Sequence, residues 1–115
     1  MSHINKCGDW SATLFFDPDG PDKLEVNGQC TFPTPGYKVH LQRKEPQGIN
    51  PKILLLEKNV TPPTGIEPQQ VVTVPVCYVE HTTVRYDEVD ILPDGARIQV
   101  KQARTAEMNL RSSGG

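Results

Sequence analysis

The chain has no run of lysine or arginine, no CxxC pair, no glycine-rich phosphate loop, and no apolar stretch near the ~18 residues that cross a bilayer as a helix. Each absence removes a class of function. A formal net charge of −2 and a pI near 5.9 leave no basic face to neutralise phosphates, so nucleic acid is not an expected partner. A membrane is not expected either. The three cysteines, Cys7, Cys30 and Cys77, are odd in number and widely spaced, which supports neither a disulfide framework nor a zinc ribbon. The opening "MSHINKCGDW" lacks the apolar segment of a secretory leader, so the expected address is the cytoplasm, or the exterior if a leader has been removed. With no G-x-S-x-G elbow, P-loop or G-x-G-x-x-G, the chain implies no cofactor and no enzyme.

What is present is punctuation. Eleven prolines and nine glycines divide the 115 residues into short runs rich in Val, Ile, Thr, Leu and aromatics, many alternating with period two. That alternation marks strands. The pattern predicts strands at 10–16, 24–32, 37–43, 52–60, 69–79, 84–92 and 96–101. In "LEVNGQCTF" the phase passes through Gly28 unbroken, so Asn27-Gly28 is read as strand interior rather than hairpin turn. "KILLLEKNV" contains good helix formers, but it is short and ends in Val-Thr-Pro-Pro, which favours a strand. Pro93-Asp94-Gly95 between apolar runs predicts a tight hairpin. The domain reading is a flexible segment 1–9, one β-domain 10–102, and a flexible tail 103–115.

Seven short strands, with "LEVNGQCTF" and "GYKVHLQR" placed like the second and third strands of such a domain, resemble an immunoglobulin-like or fibronectin-type sandwich. The resemblance implies an all-β fold of two antiparallel sheets. It also implies a tyrosine-corner position for Tyr86.

The 69–79 strand carries Pro75 in its middle. Proline cannot donate to a ladder and is confined to edge strands, strand starts and bulges. Residues 69–75 are therefore expected at the surface, with Val72 and Val74, or Val71 and Thr73, facing solvent. The prolines of the loops "TFPTPG", "EPQGINP" and "TPPTGIEP", among them Pro33, Pro35, Pro62 and Pro63, form a stiff candidate contact surface.

Asp17, Asp19 and Asp22 surround Gly20 and are the candidate metal ligands, for Ca²⁺. Their spacing departs from an EF-hand, and the twelfth position holds Gly28 where a bidentate Glu belongs. His40, His81 and the cysteines offer no pair at zinc-site spacing. Asp87, Glu88 and Asp90 read as a charged strand face rather than a carboxylate pair across a cleft. Cys30 sits among apolar positions as a small hydrophobe, and Cys7 in a polar segment is the expected reactive thiol. The function expected is a non-catalytic protein-interaction or structural module that works through loops or an edge strand. The alternative is a small ligand- or Ca²⁺-binding protein, or an accessory subunit of a larger enzyme or assembly. The oligomeric state is not readable.

Overall fold

A computed structural model of the protein describes residues 6–104. They form seven strands: β1 (Lys6–Phe16), β2 (Asp22–Phe32), β3 (Lys38–Arg43), β4 (Ile53–Thr61), β5 (Val72–Thr82), β6 (Glu88–Leu92) and β7 (Ala96–Arg104). The 52–60 run is a strand, and β2 runs through Asn27-Gly28 without a turn. β1 begins four residues before the sequence pattern places it, at Lys6 rather than residue 10. β6 begins at Glu88 rather than at residue 84, because Val84 N–H bonds Thr82 Oγ1 (2.9 Å) and Asp87 N–H bonds the Lys52 carbonyl (2.8 Å). The expected tail lies outside the described residues from 105 onward, as do residues 1–5 of the N-terminal segment.

The strands make one sheet in the order β3-β4-β6-β7-β1-β2-β5. Two of its pairings, β4 with β6 and β1 with β7, are parallel. This corrects the two-sheet antiparallel, immunoglobulin-like sandwich. The single mixed sheet curls until its two outer strands, β3 and β5, meet side by side, giving a nearly closed barrel. Right-handed twist accumulated over seven strands produces such curling. Period-two alternation places one face of every strand inside in either architecture, so it does not distinguish them.

The interior is packed. Leu14, Leu24, Val26, Phe32, Leu54, Leu56, Val89 and Ile91 are buried at 1% exposure or less. Burying a side chain of this size contributes about 1.5–3 kcal/mol. Phe32 also stacks on Tyr37, with ring centroids 4.3 Å apart.

β1 contains one irregularity with consequences. Gly8 pairs with Gln29 but Ser11 with Asn27, so Asp9 and Trp10 together oppose Gly28. This is a β-bulge. Asp9 takes φ 55°, the left-handed region that Asp tolerates better than most residues. The extra residue reverses the inward phase of β1. Ala12 and Leu14 face the core above it, and Cys7, rather than Gly8, falls opposite Cys30 below it. The two cysteines are joined as a disulfide across β1 and β2. The sulfurs of Cys7 and Cys30 are therefore neither a free reactive thiol nor a free core thiol. Closing the 23-residue separation between them restricts the unfolded chain by about 3 kcal/mol.

Candidate functional site

β5 is the last strand of the sheet and, among the described residues, has no ladder partner on its outer edge. Its pairing with β2 runs from Asp22–Thr82 to Phe32–Val72 with no register shift, straight through Gln29–Pro75. An unbroken ladder means that the N–H missing at Pro75 falls on the free edge, where its loss costs nothing. No bulge occurs there. Val72 and Val74 are half-buried against the core, and the outward residues are Thr73, Pro75, Cys77, Val79 and His81. Val71 precedes the strand at 58% exposure, and Val79 stands at 46%. Cys77 is a free, exposed thiol. Opposite these residues on β2 lie Thr31, Gln29 and Asn27. The central patch is therefore uncharged, and Lys23 and Glu25, paired at 3.2 Å, lie toward one end of it.

Pro75 thus blunts an edge, and restoring the donor has a predicted outcome. Pro75→Thr leaves the fold intact, with stability within about 1 kcal/mol because Thr suits an outward strand position. It promotes edge-to-edge pairing, seen as concentration-dependent dimers in sedimentation velocity. A variant as monomeric as the wild type refutes the blunting role.

The proline loops do not gather at one end. Segments 33–37 and 62–71 join strands at the end that holds Cys7, whereas 44–52 joins β3 to β4 at the other. Pro33, Pro35 and Pro63 are half-buried and Pro62 is exposed, with Pro63 packed against Gly36. In the 44–52 loop, Gln47 stitches the chain to β4. Its Nε2 donates to the carbonyls of Lys44 (2.7 Å) and Leu55 (2.9 Å), and its Oε1 accepts from Leu55 N–H (2.9 Å).

A polar network bridges the seam between β3 and β5. The inward alternation of β3 continues from Val39 and Leu41 to Arg43, and that of β5 from Val76 and Tyr78 to Glu80. Arg43 Nη1 donates to both Glu80 oxygens (3.2 Å each) and to Tyr86 Oη (3.1 Å). Tyr78 and Tyr86 donate to Glu80 at 2.6 and 2.9 Å. Burial, reinforced by Glu80, pushes the Tyr78 hydroxyl well above the usual tyrosine range, and burial also raises Tyr86. The hydrogen bond to Tyr86, followed by Glu80, holds the Arg43 guanidinium charged. The network ties β3 to β5 through charge-assisted hydrogen bonds. Tyr86 bonds side chains of two strands, not the upstream backbone of a tyrosine corner.

The acidic groups serve local roles. Asp17 Oδ1 accepts from Asp19 N–H (2.9 Å), and Asp22 Oδ1 accepts from Asp17 N–H (3.1 Å). Asp22 also faces Arg85 at 3.7 Å, and Arg85 lies over the Phe16 ring. Among the described residues no three His, Cys, Asp or Glu converge to hold a metal ion. Asp90 takes a bidentate bond from Arg97 (2.9 and 3.0 Å), with Glu88 beside the same guanidinium.

At the disulfide end an open groove of ≈ 500 Å³ is lined by Lys6, Cys7, Gly8, Asp9, Gln29, Thr31 and Thr73. Lys58 reaches across from β4, its Nζ 3.2 Å from Cys7 Sγ and 2.7 Å from Asp94 of the β6–β7 turn. Sequence reading missed this site, although Lys58 extends the inward phase of Leu54 and Leu56. Compared with protein-family models, curated proteins and solved structures, the chain matches none.

Proposed function

We propose that the protein is a non-catalytic interaction module that binds a partner protein through the outer face of β5 and the adjoining residues of β2. The observation that carries this reading is the uncharged, exposed patch of Val71, Thr73, Pro75, Cys77 and Val79 on the sheet's edge strand. Solvated strand faces normally carry charge, as the Asp90–Arg97 face of β6 and β7 does here. A patch of Val, Pro and Thr, with Lys6 and Asp9 at one end and Lys23 and Glu25 at the other, suits an apolar, hydroxyl-bearing protein surface. The Cys7–Cys30 bridge favours an oxidising compartment over the cytoplasm.

Cys77 supplies the test. It is the free thiol, so a maleimide photocrosslinker attaches there while the disulfide stays intact. Irradiation in a lysate of the source cells gives a discrete adduct, and Val79→Lys abolishes it while leaving the fold unchanged. The control carries the crosslinker on the outer face of β3, as His40→Cys in a Cys77→Ser background. The same adduct from both positions, or one indifferent to Val79→Lys, overturns the assignment.

A further inference from the structure

We propose that Cys7 is a site of reversible mixed-disulfide formation with a low-molecular-weight thiol, and that Lys58 makes it the reactive member of the Cys7–Cys30 pair. The two sulfurs occupy different surroundings. Cys30 is fully buried in the apolar core, whereas Cys7 is only partly buried, one residue from the start of β1. An external thiolate reaches only Cys7. Burial in apolar surroundings keeps a thiol protonated, so Cys30 stays a neutral thiol once released. Cys7 has an ammonium 3.2 Å away, which favours its thiolate. Among the described residues the charge against Cys7 Sγ is Lys58 from β4, with Asp94 of the β6–β7 turn paired to Lys58 and opposing its effect, and Lys6 and Asp9 lie nearby on β1.

The exchange balances without any further reactant. A thiolate R–S⁻ attacks Cys7 Sγ, the R–S–S–Cys7 bond forms, the Cys7–Cys30 bond breaks, and its electron pair leaves on Cys30 sulfur, which takes up a proton. A second R–S⁻ attacks the R sulfur of the mixed disulfide, releasing R–S–S–R and leaving the Cys7 thiolate beside Lys58. Run backwards, Cys7 thiolate attacks R–S–S–R and expels R–S⁻, and Cys30 then displaces the second R–S⁻ by attacking Cys7 Sγ. That last step needs the buried Cys30 as a thiolate, so the mixed disulfide on Cys7 accumulates. The Lys58 ammonium beside Cys7 suits a thiol that carries carboxylates. Glutathione is the natural probe, and 2-hydroxyethyl disulfide is the same chemistry without the carboxylates.

The experiment uses the full chain with Cys77→Ser, to remove the exposed thiol. Protein reduced and then exposed to either disulfide is quenched at intervals and mapped by mass spectrometry, with near-ultraviolet circular dichroism to show that the fold persists. The adduct is expected on Cys7 and not on Cys30, faster with glutathione disulfide, with a rate that rises with pH as Cys7 ionises. Raising the thiol pKa one unit cuts the thiolate fraction about tenfold but raises its nucleophilicity about threefold, a net loss of about threefold. Lys58→Met is therefore expected to slow the reaction roughly threefold to tenfold and move its pH profile upward. Asp94→Asn keeps Lys58 and removes its competitor, so it accelerates the reaction. Adducts on Cys30, equal rates at both cysteines, or rates and pH profiles indifferent to both variants overturn the proposal.

Discussion

Gly28→Ala lowers the melting temperature by roughly 5–15 °C, the consequence of about 1–3 kcal/mol of overpacking. A methyl group at position 28 falls 2.8 Å from Cδ2 of the Trp10 ring and closer still to the neighbouring ring carbons. The ring has nowhere to retreat while staying inside, because the bulge places Asp9 and Trp10 together opposite this one residue. It must swing toward solvent and forfeit its packing. Trp10 is the sole tryptophan, so its emission shifts to the red as the transition moves. The double-mutant cycle isolates the cause. In a Trp10→Leu background the ring is gone, Gly28 lies in an extended strand, and the same Gly→Ala change stabilises by about 0.4–1 kcal/mol through the unfolded chain. Thermal denaturation of the four proteins reads the sign. A penalty that persists without Trp10 shows that the ring is not the obstacle.

Gly28 also shows what the sequence makes legible. Continuous phase across Asn27-Gly28 identified a strand where the dipeptide suggested a turn, and alternation located most of the seven strands, the 52–60 run being read from its length and its Val-Thr-Pro-Pro end. Alternation reports which face of a strand is buried, not which strand lies beside it. The parallel pairings of β4 with β6 and of β1 with β7 bring together segments far apart in the chain, and no local pattern encodes them. A sandwich and a curled single sheet therefore look alike until pairing is known.

The bulge hid the rest. It breaks the phase at Asp9, so residues 6–9 look like a polar leader, and Cys7 is not visibly in step with Cys30. Its partner Lys58, and Arg43 and Glu80 at the opposite end, did carry a signal. Each is a charged residue occupying the next inward position after two apolar or aromatic ones: Leu54 and Leu56, Val39 and Leu41, Val76 and Tyr78. An inward charge at the end of a strand marks where a barrel interior meets water, and such charges require partners. Residue spacing identifies them as needing a partner but not which partner.

Replacing Glu80 with Ala is the sharpest test of how the barrel closes. The ladder stops at both β3 and β5, and the Arg43–Glu80–Tyr78–Tyr86 network joins the two edges. Glu80→Ala leaves two tyrosine hydroxyls without their acceptor, while the Arg43 guanidinium keeps Tyr86 Oη and Glu45. Tyr86 is 5% exposed and loses the full value of a buried hydrogen bond, about 1–3 kcal/mol, and half-buried Tyr78 loses somewhat less. The Arg43 side chain is 38% exposed and recovers water, so its share is about 0–1 kcal/mol. The total is about 2–6 kcal/mol, expected as a fall of roughly 8–25 °C in melting temperature. Hydrogen exchange should quicken first in β3, the strand thereby released. Glu80→Gln keeps one acceptor oxygen and falls between. If the four polar groups are replaced together, with Glu80→Leu, Arg43→Met, Tyr78→Phe and Tyr86→Phe, most of the stability returns, because no unpaired group remains. The tyrosines add a dependence on pH. Their hydroxyls titrate higher in the folded protein than in the unfolded chain, so the folded state holds its protons longer. The stability this represents is fully present below the unfolded tyrosine value of about 10 and is lost as pH rises from there through the folded values. Denaturant unfolding above pH ~10 should weaken the wild type more steeply than the Tyr78→Phe/Tyr86→Phe pair. Equal slopes, or a Glu80→Ala protein as stable as the wild type, would mean that the seam is held by apolar packing alone.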